Sequence, residues 1–241
     1  MRFRRMVMVG AGAGLALAAV AGCTQSTDQA VAPSSTAALI ATGTVPVVTN
    51  DLAANSAHQS VAVPGEQFGL QIDYWTDVDA TTWQTLQPKA INLSVHLVPA
   101  ATTTGDPPEV LMGSFDAVTT LLAAMPGLDG LPIAVTHEAS SSLPGFVISA
   151  SYPFDSQLPI EGFSAPLQAR WQTLAADEPL TESGLVKAGV YGNRMTFTYR
   201  VLVRNTGDPG YHQRIVQSTL TVPEAAPATA GAAGSTAVTT G

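Results

Sequence analysis

Residues 185–203 read LVKAGVYGNRMTFTYRVLV. Within them Met195, Phe197, Tyr199, Val201 and Val203 alternate with Thr196, Thr198 and Arg200, the period-two pattern of a strand with one buried face. The aromatic and β-branched residues of the run suit a pleated, half-buried surface. Upstream, Leu185 to Tyr191 reads as a second strand. Between the two, Gly192-Asn193 offers the positive φ of a two-residue turn. The stretch therefore predicts an antiparallel hairpin.

The same period recurs outward from it. Ile91, Leu93, Val95 and Leu97 alternate with Asn92, Ser94 and His96. Phe68 to Tyr74, Ile133 to Val135, Phe146 to Tyr152 and Ile215 to Val222 are further predicted strands. Phe163, Ala165, Leu167, Ala169 and Trp171 also recur at period two and are read as strand, although Leu167, Trp171 and Leu174 fit one helical face. One segment reads as helix. Phe115, Val118, Leu121, Leu122 and Met125 follow helical spacing, Ser114 or Asp116 caps the start, and Pro126-Gly127 ends it. Short strands divided by Gly, Pro and Asp turns, with one short helix, define the expected class. It is all-β, mainly an antiparallel β-sandwich, immunoglobulin-like or barrel-like.

The chain has 241 residues, a formal net charge of −8 and only 12% charged residues. So acidic a chain lacks the Lys and Arg that would neutralise phosphates, which argues against a nucleic-acid partner. Its one Cys excludes an internal disulfide framework and a cysteine-built metal centre.

That Cys stands in a telling place. Residues 1–5 are Met-Arg-Phe-Arg-Arg, and Met6 to Gly22 is an unbroken apolar run. A basic start followed by an apolar run is a signal-peptide layout. Gly10, Gly12 and Gly14 weaken the run as a lasting helical span. It ends Val20-Ala21-Gly22-Cys23 and turns polar at Thr24-Gln25-Ser26. This resembles the lipobox of bacterial lipoproteins, and the resemblance covers residues 1–23. It implies that a diacylglyceryl group joins the Cys23 thiol, that the chain is cut between Gly22 and Cys23, and that the new amino terminus is open to acylation. Two acyl chains hold a protein where one binds only marginally. The resemblance thus implies a lipid anchor in the cell membrane, with the body on the extracytoplasmic face. The Ala, Thr, Gly and Pro bias resembles that of actinobacterial proteins. Loss of Arg2, Arg4 and Arg5 leaves seven basic residues against 18 acidic, a net charge of −11. Such a body repels anionic head groups.

The expected organisation follows. Residues 1–22 are the signal peptide, 23–60 the lipidated Cys23 and a flexible tether, 61–223 the sandwich, and 224–241 a disordered Ala/Gly/Thr tail. Within the tether Thr44 to Val48 is a candidate edge strand.

Chemistry is harder to find. The hydrolase elbow Gly-x-Ser-x-Gly, a Ser-x-x-Lys pair, HExxH and both glycine-rich phosphate motifs are absent from the sequence. His58, His96, His137 and His212 are widely separated. Ser140 to Ser142, after His137 and Glu138, read as a polar turn, and Asp177, Glu178 and Glu182 as a solvated acidic loop. The densest carboxylate group is Asp73, Asp77 and Asp79, a candidate calcium site that lacks the EF-hand spacing. The plainer reading is a turn whose Asp side chains accept from nearby backbone N–H groups. An exposed Trp75 or Trp83 beside that group is a candidate binding residue. No cofactor and no catalytic residue is expected. The expected function is a non-enzymatic binding or assembly module that meets an envelope protein or a lipid. The alternative is a lipid or small-ligand carrier, its apolar cavity lined by Leu121, Leu122 and Met125 of the predicted helix.

Overall fold

The computed structural model describes residues 46–99, 107–139, 145–175 and 178–225. In chain order the strands are β1 (Ser56–Ala62), β2 (Gly69–Trp75), β3 (Lys89–Val98), β4 (Glu109–Ala123), β5 (Pro132–Ala139), β6 (Phe146–Val147), β7 (Phe154–Ile160), β8 (Val190–Arg204) and β9 (His212–Pro223). The helices α1 (Ala165–Leu174) and α2 (Glu182–Lys187) lie between β7 and β8, and a single 3-10 turn spans Ala80–Thr82. One antiparallel sheet runs β1-β2-β3-β7, and the other runs β5-β4-β8-β9 with β6 also paired to β4. The fold is thus an all-β, sandwich-like one.

Alternation turns one face of each sheet inward. Leu70, Ile72, Tyr74, Ile91, Leu93 and Val95 face Phe115, Ala117, Met195, Phe197, Tyr199 and Val201, all of them buried in one core. Aromatic rings set the inter-sheet contact. Across it Tyr74 and Phe197 lie 4.9 Å apart by centroid and Phe115 and Phe154 6.0 Å, while within one sheet Phe115 and its strand neighbour Tyr199 lie 5.4 Å apart. These are the separations at which aromatic pairs add to simple burial. A buried hydroxyl needs a partner. Tyr74 finds two across the core, the Tyr199 hydroxyl at 2.9 Å and the Ser218 hydroxyl. Burial pushes the Tyr74 hydroxyl up to about 12 and that of Tyr199 well above its usual value, so both stay neutral.

The predicted strand over Phe146–Tyr152 shrinks to the two residues of β6, and three segments differ more deeply from expectation. The predicted hairpin at Gly192-Asn193 is the interior of β8, and neither residue has positive φ. The turn lies three residues earlier, at Gly189 (φ 82°), where α2 ends. Thr181 caps that helix by accepting from the Gly184 N–H. Gly192 is needed for space instead, since a Cβ there would meet the Val222 carbonyl oxygen at 2.7 Å and Pro223 Cα at 3.1 Å. The predicted helix over Phe115–Met125 is β4. Phe115, Ala117, Thr119 and Leu121 are fully buried in alternation, and Ser114 and Asp116 bind Arg200 on β8 rather than capping anything. Its helical spacing is a coincidence of an apolar-rich strand with Val118 and Leu122 on the other face. The predicted strand over Phe163–Trp171 is α1, which starts at Ser164 with Pro166 in its first turn and buries Trp171. Proline is at home there and costly inside a ladder.

The tether boundary also moves. β1 begins within the expected tether and pairs with β2 from Ser56↔Trp75 to Ala62↔Gly69, and Leu52 is fully buried. Of the candidate edge strand Thr44 to Val48, the described residues 46–48 are not strand. At the other end Glu224 and Ala225 still belong to the body, through bonds to Tyr191 and Trp83. Residues 226–241 lie outside the described residues.

Gly192→Ala should destabilise the protein by about 1–3 kcal/mol, the usual cost of overpacking. Gly210→Ala should stay within about 0.5 kcal/mol, because nothing lies within 4 Å of a Cβ there. Urea unfolding of both variants checks the difference. Equal stabilities would mean that β9 does not press on Gly192.

Candidate functional site

The structure does not assemble the carboxylates singled out by sequence. Asp73 lies on β2 and bonds His58 and Gln71 across the sheet face. Asp79 caps the 3-10 turn through the Thr81 N–H and hydroxyl, both of which donate to its Oδ1. Those two bonds hold its carboxyl below the usual range. Asp77 is exposed and bonds neither. Among the described residues no three His, Cys, Asp or Glu gather as a metal site would require. Trp75 is 39% exposed at the end of β2, whereas Trp83 is buried and donates to the Val78 carbonyl. Leu121, Leu122 and Met125 are all buried in strand β4 and the turn after it. Gly22, Cys23 and Ser140 to Ser142 lie outside the described residues.

What the fold does bring together is a polar cluster at one end of the sandwich, drawn from five segments. Thr85, in the loop between the 3-10 turn and β3, donates its N–H (3.0 Å) and its hydroxyl (2.5 Å) to the two oxygens of Glu224, just past β9. The next residue, Leu86, donates its N–H to Glu182 Oε1 of α2 at 2.7 Å. Asn193 of β8, fully buried, donates to the Thr85 hydroxyl at 3.4 Å. Lys89, at the start of β3, donates to the Gln84 (2.5 Å) and Gln87 (3.3 Å) carbonyls. Its ammonium also lies 5.3 Å from the centre of the Trp83 ring, within cation–π range. Two buried acceptors in the cluster, Glu182 Oε2 and Asn193 Oδ1, have no protein donor.

Burial dominates the electrostatics. It pushes the Lys89 ammonium down to about 8, against the pull of Glu224 and Glu182. It pushes the Glu224 carboxyl up to about 7; the Thr85 bonds oppose that rise and the adjacent Glu182 carboxyl adds to it. A cluster of this kind can hold and release a proton near neutral pH. Sequence reading missed it. Glu182 is not a solvated loop residue, and Glu224 is not the start of a tail. The available signal was an N-cap residue, Thr181, with acidic Glu182 in the first turn and the apolar pair Leu185-Val186 after it, which marks a helix start in place of a strand.

The outer faces are tied differently. Each of the four histidines faces an aspartate. His58 lies 2.7 Å and His96 3.5 Å from Asp73, His137 contacts Asp116, and His212 lies 3.7 Å from Asp208. Register explains the first group, since His58↔Asp73, Asp73↔Ser94 and Ser94↔Asp155 run straight across four strands. Ser94 donates to Asp155 at 2.6 Å. Burial alone would raise the carboxyls of Asp73 and Asp116, but bonds from His58 and Gln71, and from His137 and Arg200, hold both below the usual range. Elsewhere Phe146, Val147 and Tyr152, which are 40%, 59% and 71% exposed, line an open hollow of about 370 Å³ with Phe154, Glu138 and Asp155.

No protein-family model matches the chain, and no curated protein matches it. A solved structure described as a crystal structure of a protein from Archaeoglobus fulgidus is similar at 12% identity, over 63% of this chain and 94% of that one, with a TM-score of 0.28.

Thr85→Val removes the hydroxyl that joins Glu224 to Asn193. It should cost about 1–3 kcal/mol, the penalty for leaving buried polar groups unpaired. Asp73→Asn on the exposed face should cost less than about 1 kcal/mol. Urea unfolding at pH 7 reads both, and comparable losses would contradict the contrast in burial.

Proposed function

We propose that the protein is a lipid-anchored lipoprotein of the cell envelope whose β-sandwich is a non-enzymatic binding or assembly module on the extracytoplasmic face. The observation that carries this reading is Val20-Ala21-Gly22-Cys23, placed at the end of an apolar run that follows a basic start and holding the chain's one cysteine. The rest is consistent with it. A sandwich holds its end loops and outer faces rigid, which suits contact with a partner. The exposed Phe146, Val147 and Tyr152, rimmed by Glu138 and Asp155, offer apolar contact to a partner with basic groups. The carrier alternative loses its cavity-lining helix, which is strand β4: Leu121 and Met125 pack in the core, and Leu122 is buried on the other face.

The test is the covalent state of Cys23. Expressed in a bacterium with a lipoprotein pathway, the mature chain should begin at Cys23, carry the mass of a diacylglyceryl group, and enter the detergent phase of a Triton X-114 partition. Cys23→Ala should abolish the lipid mass and the partition. A mature chain that begins elsewhere, or one without lipid, would overturn the anchor. A native mass spectrum of the same protein addresses the body. A lipid mass that leaves on denaturation would return the carrier reading to first place.

A further inference from the structure

The exit of β9 is held by a hydrogen-bond arrangement that ionised groups alone do not complete. Glu224 spends both oxygens on Thr85, and Glu182 spends Oε1 on the Leu86 N–H. The two carboxyl groups thus meet at adjacent residues of one loop, and the nearness of Glu182 adds to the rise of the Glu224 carboxyl. Two carboxylates offer only acceptors, so neither can satisfy the other without a proton. Glu182 Oε2 is buried and lacks a donor, and a proton held by Glu224 gives it one. Around them Thr85 and Asn193 are fully buried, which keeps water from taking the place of the missing donor.

We propose that Glu224 holds a proton toward the unpaired oxygen of Glu182 and that the two act as a pH-operated clasp. With the proton in place, the pair ties the end of β9 to α2 and to the loop at residues 83–88. Without it, two like charges face each other in a buried site, and the end of β9 with Glu224 and Ala225 loosens from Trp83 and Thr85. The bonds at stake are Ala225 N–H to the Trp83 carbonyl (2.8 Å) and Glu224 N–H to the Tyr191 carbonyl (2.9 Å).

The groups that face the pair come from every neighbouring element. β3 contributes Lys89, whose ammonium bonds the Gln84 and Gln87 carbonyls and feels the pull of both carboxylates; burial holds it down to about 8, and its titration there works against that of Glu224, since a depressed cation gains stability as pH rises. α2 contributes only Glu182, since Lys187 turns to Glu178 at 3.6 Å. β8 contributes Asn193 and the loop contributes Thr85, both neutral. The direction of the effect is set by Glu224, whose folded value of about 7 lies above the ordinary 4.5. Such a group stabilises fully below 4.5, and its contribution is lost as pH rises through 7. The clasp is closed in acid and loosened above neutrality.

Amide hydrogen exchange of the intact protein between pH 6 and pH 8, corrected for intrinsic chemistry, reads the clasp directly. Peptides that contain Thr85, Leu86 and residues 220–225 should exchange about tenfold faster at pH 8, which follows from moving one carboxyl from 4.5 to about 7. Peptides from the centre of β3 should not change. In Glu224→Gln the amide supplies the donor at every pH, so the acceleration at pH 8 should vanish. Carbon-13 titration of glutamate carboxyls in the wild-type protein gives a reading that needs no variant. One carboxyl should titrate near 7. Exchange that is flat with pH in the wild type, a Glu224→Gln profile that still falls with pH, or glutamates that all titrate in the ordinary range would each overturn the proposal.

Discussion

β4 and β8 pair antiparallel from Glu109↔Arg204 to Ala123↔Val190, and that ladder commits two backbones and two apolar faces at once. A slip of one residue would turn Phe115, Ala117 and Leu121 outward, so the buried face holds the register. The same face obliges a second sheet to exist, because the aromatic row Phe115, Phe197 and Tyr199 cannot remain in water. Tyr74 and Phe154 supply the opposing surface. The ladder is irregular near both ends, between Met112 and Ser114 and between Leu122 and Ala123. Bulges strengthen local twist. β4 accordingly meets two partners along its other edge, β6 at Leu111 and Met112 and β5 over Ser114 to Thr120.

The remaining edges are closed by short polar contacts more than by further strands. Asp51 bonds Thr221 on β9 with both its backbone and its carboxylate, at 2.9 and 2.7 Å, much as a strand residue would. Gln59 of β1 reaches the Thr219 carbonyl at 2.9 Å. Unpaired edges invite pairing with other chains, and these contacts occupy donors and acceptors that β9 would otherwise present. They also explain why the chain is ordered well before residue 61. Asn50 accepts from the Leu52 N–H, and Leu52 enters the core, so a run of Asn, Asp and Ala that reads as linker folds as a clip.

The class of the fold and the strands β2, β3 and β9 were legible because their alternation is clean and their apolar residues face one side. β4 was not, because Phe115, Val118, Leu121, Leu122 and Met125 satisfy the helical period while Phe115, Ala117, Thr119 and Leu121 satisfy the strand period. Only pairing with β8 decides between them, and pairing is not local information. α1 was half legible, since Leu167, Trp171 and Leu174 mark its buried face and Pro166 marks its first turn. The polar cluster was illegible as a site. Its members come from positions 85, 89, 182, 193 and 224, and no spacing links them before the sheets fold.

The misreadings around residues 182–193 and at 224 share a cause. Gly192-Asn193 looks like a turn because both residues are poor strand formers, yet Gly192 is there to let β9 approach and Asn193 to reach Thr85. Glu182 and Glu224 look like solvent-facing charges because most glutamates are. In each case a residue that breaks the local rule serves a contact from far along the chain. Well-packed apolar residues would often hold such a junction as firmly as buried charge does. This chain buries Lys89 and half-buries Glu182 and Glu224 at one end of the sandwich. Response of that end to a single proton is a property such groups can supply and leucines cannot.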